Sequence, residues 1–116
     1  MPTGRIAAVQ PPESKKIANF WRSEVAPGNL DEVLSILEAF SSRALSDEPG
    51  TEIQGYHLEA PNVIWVYAMF TDADALRRHR EIFTADPRYY RLKELFTHFE
   101  KTHETTPLFV KGIDVD

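Results

Sequence analysis

Residues 62–83 read NVIWVYAMFTDADALRRHREIF, and this stretch decides the architecture. Val63 to Phe70 carries no charge and is rich in β-branched and aromatic residues. A strand exposed on one side would alternate apolar and polar residues, so an uninterrupted apolar run predicts a strand buried on both faces. Thr71-Asp72-Ala73-Asp74 then has the spacing of a capping box, a hydroxyl followed three residues later by an acid, which predicts a helix start. In the helix that follows, His79 shares a face with Leu76 and Phe83. A doubly covered strand therefore leads into a helix that turns an imidazole inward.

The flanking sequence supplies the rest of the pattern. Ile17–Val25 (IANFWRSEV) alternates loosely as a strand, and Ala26-Pro27-Gly28 ends it. Asn29 with Glu32 forms a plausible helix cap, and Leu30, Val33, Leu34, Leu37, Phe40 and Ala44 make one apolar stripe. Asp47-Glu48-Pro49-Gly50 stops that helix. Thr51–Glu59 reads as a second strand, hairpinned to Val63–Phe70 through Ala60-Pro61-Asn62. Asp86-Pro87 marks another helix start, with Tyr89, Leu92, Leu95, Phe96 and Phe99 as its apolar face. Pro107 then precedes an expected last strand, LFVKGIDV. Residues 1–16 are expected to form an N-terminal arm and 17–116 a single domain.

The order β-α-β-β-α(α)-β predicts an α+β fold, the ferredoxin-like split βαβ arrangement with an antiparallel sheet. Helices cover one face of such a sheet, and the doubly apolar strand asks for cover on the other. A second copy of the chain is the simplest provider, so a homodimer is expected. The segment Gly112–Asp116 is expected to be ordered against that partner, because Val110, Ile113 and Val115 are apolar in a tail that would otherwise fray.

Composition narrows the function. The chain has 116 residues, 42% apolar and 27% charged, enough for one globular core. A net charge of −5 argues against general nucleic-acid or anionic-membrane binding. No apolar run approaches the ~20 residues that span a bilayer, and no secretory leader is recognisable, so a cytoplasmic location is expected. With no cysteine there is no thiolate nucleophile or thiolate metal site. His57, His98 and His103 do not join His79 in a metal-binding spacing, and no phosphate loop or nucleophile elbow is present. No cofactor is expected.

Pro27-Gly28, the Arg43…Glu48-Pro49-Gly50-Thr51 block, Tyr56 and the run VYAMFTDADALRRH together resemble the antibiotic biosynthesis monooxygenase (ABM) domain. The resemblance covers about residues 17–111. It implies a dimeric α+β barrel in which two sheets pack face to face. It also implies one of several roles, among them cofactor-free oxygenation of quinols or anthrones and haem degradation. Two departures stand out. Ala68 occupies the position after the strand tyrosine where the family usually has a glutamate. The haem-degrading set of asparagine, tryptophan and histidine is not reproduced either: its positions fall on His79 and near Tyr89, and Asn19 lies at the wrong distance from Pro27-Gly28.

His79 matches the family's helix-two histidine and is the candidate catalytic residue. It could accept a phenolic proton or bond a quinone oxygen, although the same placement suits a packed core histidine. Tyr56, Trp65, Tyr67 and Tyr89 are the candidate substrate-binding residues, Trp65 and Tyr67 sharing one face of their strand. Aromatic residues there also suit a core or a dimer interface. Arg77, Arg78, Arg80, Arg88 and Arg91 form a basic neighbourhood able to attract a phenolate, or simply a solvated helix face. Two functions follow. One is a cofactor-independent monooxygenase acting on a small quinol- or anthrone-like aromatic. The other is a non-catalytic dimer that holds a small hydrophobic molecule or serves a stress or regulatory role.

Overall fold

Val63–Phe70 is the strand around which the molecule is organised, with a neighbour paired antiparallel on each side. The computed structural model describes residues 15–110. In chain order the elements are β1 (Ile17–Val25), α1 (Leu30–Asp47), β2 (Thr51–Glu59), β3 (Val63–Phe70), α2 (Ala73–Ala85), α3 (Pro87–Leu95) and β4 (Phe96–Thr105). The sheet order is β2-β3-β1-β4, so β3 and β1 are central and all neighbours run antiparallel. This is the ferredoxin-like α+β fold. Gly112–Asp116, residues 1–14 of the arm and most of the expected LFVKGIDV strand lie outside the described residues. No described helix is long and apolar enough to cross a membrane.

One face of the sheet carries the helices. Val25 and Ile64 pack there against Val33, Leu37 and Phe40 of α1 and Leu92 and Leu95 of α3, all buried. The apolar spacing of α1 produces this, since Val33, Leu37, Phe40 and Ala44 recur at helical intervals on one stripe. A second buried group, Ala68, Phe70, Ala75 and Leu76, seats α2 on the far end of β3.

Helix starts follow their side-chain chemistry, with one correction. The cap of α2 is Asp72, whose carboxylate accepts the Ala75 N–H at 2.8 Å; Thr71 does not take this part. The helix begins at Ala73, which puts Asp72 at the capping position. Asp86 caps α3 as its Asp-Pro start predicts, accepting from the Arg88 N–H at 2.9 Å. At Asn29 the side chain makes no cap bond.

The last strand is the larger correction. β4 begins directly at Phe96, where the apolar helix stripe was expected to continue through Phe99, and Leu108 and Phe109 are exposed beyond it. Leu92, Leu95, Phe96 and Phe99 fit a helical spacing, but FTHFEKTHET also mixes aromatic and β-branched residues. Pairing with β1 decides in favour of a strand. No glycine or proline marks the change at Leu95–Phe96. The charges on Glu100, Lys101 and Glu104 suit the edge of a sheet.

Candidate functional site

The loop between α1 and β2 brings together residues far apart in sequence. Glu48 donates its N–H to Ala44 O as α1 ends, and the Thr51 N–H closes a turn on Glu48 O. Gly50 presses against Ala75, and its carbonyl accepts the Thr71 N–H at 2.9 Å. The loop is thereby held beside the start of α2. Two turns along that helix, His79 meets Glu48, 31 residues upstream, with Nδ1 at 2.7 Å from Oε1.

The Glu48 carboxylate also accepts from Thr51 Oγ1 at 2.9 Å and from Arg43 Nη2 at 3.0 Å. Glu48 is buried, and the His79 side chain is 14% exposed, lying between the rings of Phe70 and Phe83. A carboxylate facing Nδ1 fixes the tautomer: the proton sits on Nδ1 and the lone pair of a neutral ring on Nε2. Gln54 Nε2 lies 3.3 Å from that Nε2, and Gln54 Oε1 accepts from the Tyr56 hydroxyl at 3.2 Å. Burial pushes the Tyr56 phenol up to about 12, partly offset by the Ser41 hydroxyl, so it keeps its proton at neutral pH.

Gln54, Tyr56 and His79, with Phe70 and Phe83, line a cavity of about 240 Å³ between the helices and the sheet, and Glu48 backs His79 from outside it. Period-two alternation builds its floor. Asn19 pairs with Ala68 and Ala68 with Gln54, while Trp21 pairs with Val66 and Val66 with Tyr56, so all six residues share the helix-bearing face. Trp21 stacks on Phe99 at 4.6 Å, and Phe83 meets Tyr89 edge-on at 5.2 Å, giving largely aromatic walls. Asn19 is 2% exposed, and its Oδ1 has no hydrogen-bond partner among the described residues.

The structure places His79, Tyr56 and Tyr89 on the cavity wall. Trp65 and Tyr67 are elsewhere, which corrects their assignment as residues around a bound ring. They do share a face, but it is the helix-free one, because Val66 and Ala68 take the alternate positions beneath the helices. Trp65 donates to Glu59 at 2.8 Å and lies under the Arg22 guanidinium, while Tyr67 packs on Phe20 with ring centres 5.0 Å apart. Of the basic neighbourhood, Arg77 and Arg78 pair with Asp74, Arg88 with Asp86 and Arg91 with Glu32, as a solvated face would. Arg80 differs: it borders the cavity and has no ion pair among the described residues.

Sequence reasoning overlooked Glu48 and Gln54 as site residues and set Asn19 aside. Gln54 was within reach, since it lies two residues from Tyr56 on one strand and so shares its face. Glu48 was visible only as part of a recurring block; its contact with His79 depends on the loop geometry. Among the described residues, no three His, Asp or Glu side chains converge to hold a metal ion.

No curated protein sequence matches the chain. Solved structures do. A candidate antibiotic biosynthesis monooxygenase from Caulobacter crescentus superposes with a TM-score of 0.70 at 12% identity, covering 84% of this chain and 93% of that one. One from Bacteroides thetaiotaomicron gives 0.68 at 21% identity, covering 88% and 97%. SnoaB, a cofactor-independent oxygenase from Streptomyces nogalater, gives 0.59 at 24% identity, covering 84% and 98%. At these identities the likeness speaks for the fold. The sequence profile of the antibiotic biosynthesis monooxygenase family, however, matches residues 17–105, the whole of the sheet and its helices. The chain therefore belongs to the antibiotic biosynthesis monooxygenase family.

Proposed function

We propose that this protein is a cofactor-independent monooxygenase acting on a small electron-rich aromatic of the quinol or anthrone type, with His79 as the base. The observation that carries the reading is the Glu48–His79 pair opening onto an aromatic-walled cavity. Its volume, about 240 Å³, is small for a ligand pocket and suits a two- or three-ring compound. A relative of the same fold, SnoaB, is a cofactor-independent oxygenase, which supports the chemistry proposed.

His79 Nε2 would take the acidic proton of the substrate, and Glu48 would stabilise the imidazolium that results. The electron-rich anion left behind reduces dioxygen by one electron, and the radical pair recombines to a ring peroxide. The His79 imidazolium returns its proton to the peroxide, and for an anthrone-type methylene loss of water then leaves a carbonyl, so one oxygen atom enters the product and the other leaves as water. Tyr56 would orient the substrate oxygen, and Phe83, Tyr89 and Trp21 would enclose the ring. Arg80 at the border would draw in an anionic substrate.

We also infer that the working unit is a homodimer joined through the helix-free sheet face. Phe20, Trp65 and Tyr67 lie half-buried there without helical cover. The adjacent Arg22–Glu24 pair carries both charges, so two copies related by a twofold axis need not repel.

Oxygen uptake by the purified protein with a panel of quinols and anthrones tests the reading, with His79→Ala as control. Uptake that depends on His79 is the expected result. Tight binding without uptake would replace the enzyme by a hydrophobic-ligand carrier.

A further inference from the structure

The hydrogen bonds around His79 form one directed chain. Tyr56 O–H donates to Gln54 Oε1, Gln54 Nε2–H donates to His79 Nε2, and His79 Nδ1–H donates to Glu48 Oε1. Every donor in the chain meets an acceptor, but only while the imidazole is neutral. If His79 gains a proton at Nε2, that nitrogen becomes a donor facing the Gln54 NH₂ at 3.3 Å, and two donors then oppose each other in a part-buried site.

A carboxamide can resolve the conflict without moving its neighbours, because its oxygen and nitrogen ends are nearly the same size. We propose that Gln54 is a protonation-coupled switch: its amide turns over when His79 takes a second proton, and this changes Tyr56 from acceptor to donor toward the cavity. In the turned state His79 Nε2–H donates to Gln54 Oε1, and Gln54 Nε2–H donates to the Tyr56 oxygen. The Tyr56 hydroxyl hydrogen is released to point into the cavity. The first state satisfies every donor within the chain; the turned state satisfies all but the Tyr56 hydroxyl hydrogen, which is left for an acceptor in the cavity.

The surroundings favour this response. Glu48 faces Nδ1 in both protonation states, held by Thr51 and by Arg43 of α1. From β2 the facing groups are Gln54 and Tyr56, and from β3 and α2 the rings of Phe70 and Phe83. Arg80 follows His79 on α2 and borders the same cavity. Because the burial of Tyr56 keeps it protonated at neutral pH, its role alternates between acceptor and donor and it does not ionise. The consequence for ligands rests on the reading of His79 as base. A neutral phenol meets a Tyr56 oxygen ready to accept, and once its proton has moved to His79 the resulting phenolate meets a hydroxyl ready to donate.

The switch itself can be read without oxygen or substrate. In the full chain with labelled glutamine side chains, NMR through-space contacts locate the Gln54 NH₂ across the His79 titration. It should contact the His79 ring protons above the midpoint and the Tyr56 ring protons below it. A contact pattern unchanged while His79 titrates would overturn the proposal. Anaerobic binding of 1-naphthol and of 1,4-naphthoquinone, which only accepts hydrogen bonds, supplies the functional arm. Quinone affinity should rise several-fold on acidifying through the midpoint, and Gln54→Leu should abolish the rise. A rise that survives in Gln54→Leu would also overturn the proposal. If the amide turns but neither probe binds, the switch stands and the aromatic-substrate reading falls.

Discussion

Gly50 and Ala75 touch so closely that a β-carbon on residue 50 would overlap the Ala75 methyl. That contact holds the loop bearing Glu48 against the helix bearing His79. Substituting Gly50→Ala should therefore cost about 1–3 kcal/mol, the usual range for overpacking. It should also move Glu48 away from the imidazole. Denaturant unfolding measures the first effect, and the His79 tautomer seen by nitrogen NMR measures the second. A variant of unchanged stability and tautomer would show that the contact yields without consequence.

Removing the base should be more severe for turnover than removing its partner. With general-base catalysis contributing roughly 10²–10⁴-fold, His79→Ala should lower kcat/KM by at least about a hundredfold. Glu48→Gln should fall between that and wild type, because the amide can still accept from Nδ1 but no longer stabilises the imidazolium. Steady-state oxygen consumption on all three proteins checks the order.

Tyr56 links stability to alkaline pH. Burial raises its phenol from an ordinary 10.0 to about 12, so the folded state binds this proton more tightly than the unfolded state. Its contribution is fully present below pH 10 and is lost as pH rises from there through about 12. Unfolding midpoints of wild type should drop across this window more steeply than those of Tyr56→Phe. Parallel curves would place the alkaline transition elsewhere.

Tyr67→Asp sets a charge beside Phe20 on the helix-free face, away from the cavity. Sedimentation should show a dimer for wild type and a monomer for the variant at micromolar concentration. Retained helical circular dichroism would separate lost assembly from lost folding. A wild-type monomer would remove the second copy from the account.

Much of the fold was legible because β3 and α2 are unambiguous in pattern. Eight residues without a charge, rich in β-branched and aromatic types, are the length and composition of a strand, and Leu76, His79 and Phe83 lie on one helical face. Beyond Leu95 local pattern fails, because Phe96 and Phe99 fit a helix and a strand alike, and only pairing with β1 separates the two. The site was legible in part for a related reason. Alternation shows which residues share a face, as it did for Trp65 and Tyr67, but not which face the helices cover. The Glu48–His79 contact lay beyond pattern altogether, since it spans 31 residues and depends on a close glycine approach.

The chain has two tryptophans, and the pleat assigns one to each side of the sheet. Trp21 borders the cavity and Trp65 sits on the helix-free surface beneath Arg22. The protein thus carries two intrinsic optical probes with separate fields of view. In Trp65→Phe, emission from Trp21 would report ligand entry as proposed; in Trp21→Phe, emission from Trp65 would report the proposed association of two copies. Titrating ligand into the second variant would show whether filling the cavity is felt through a single layer of strands at the opposite surface.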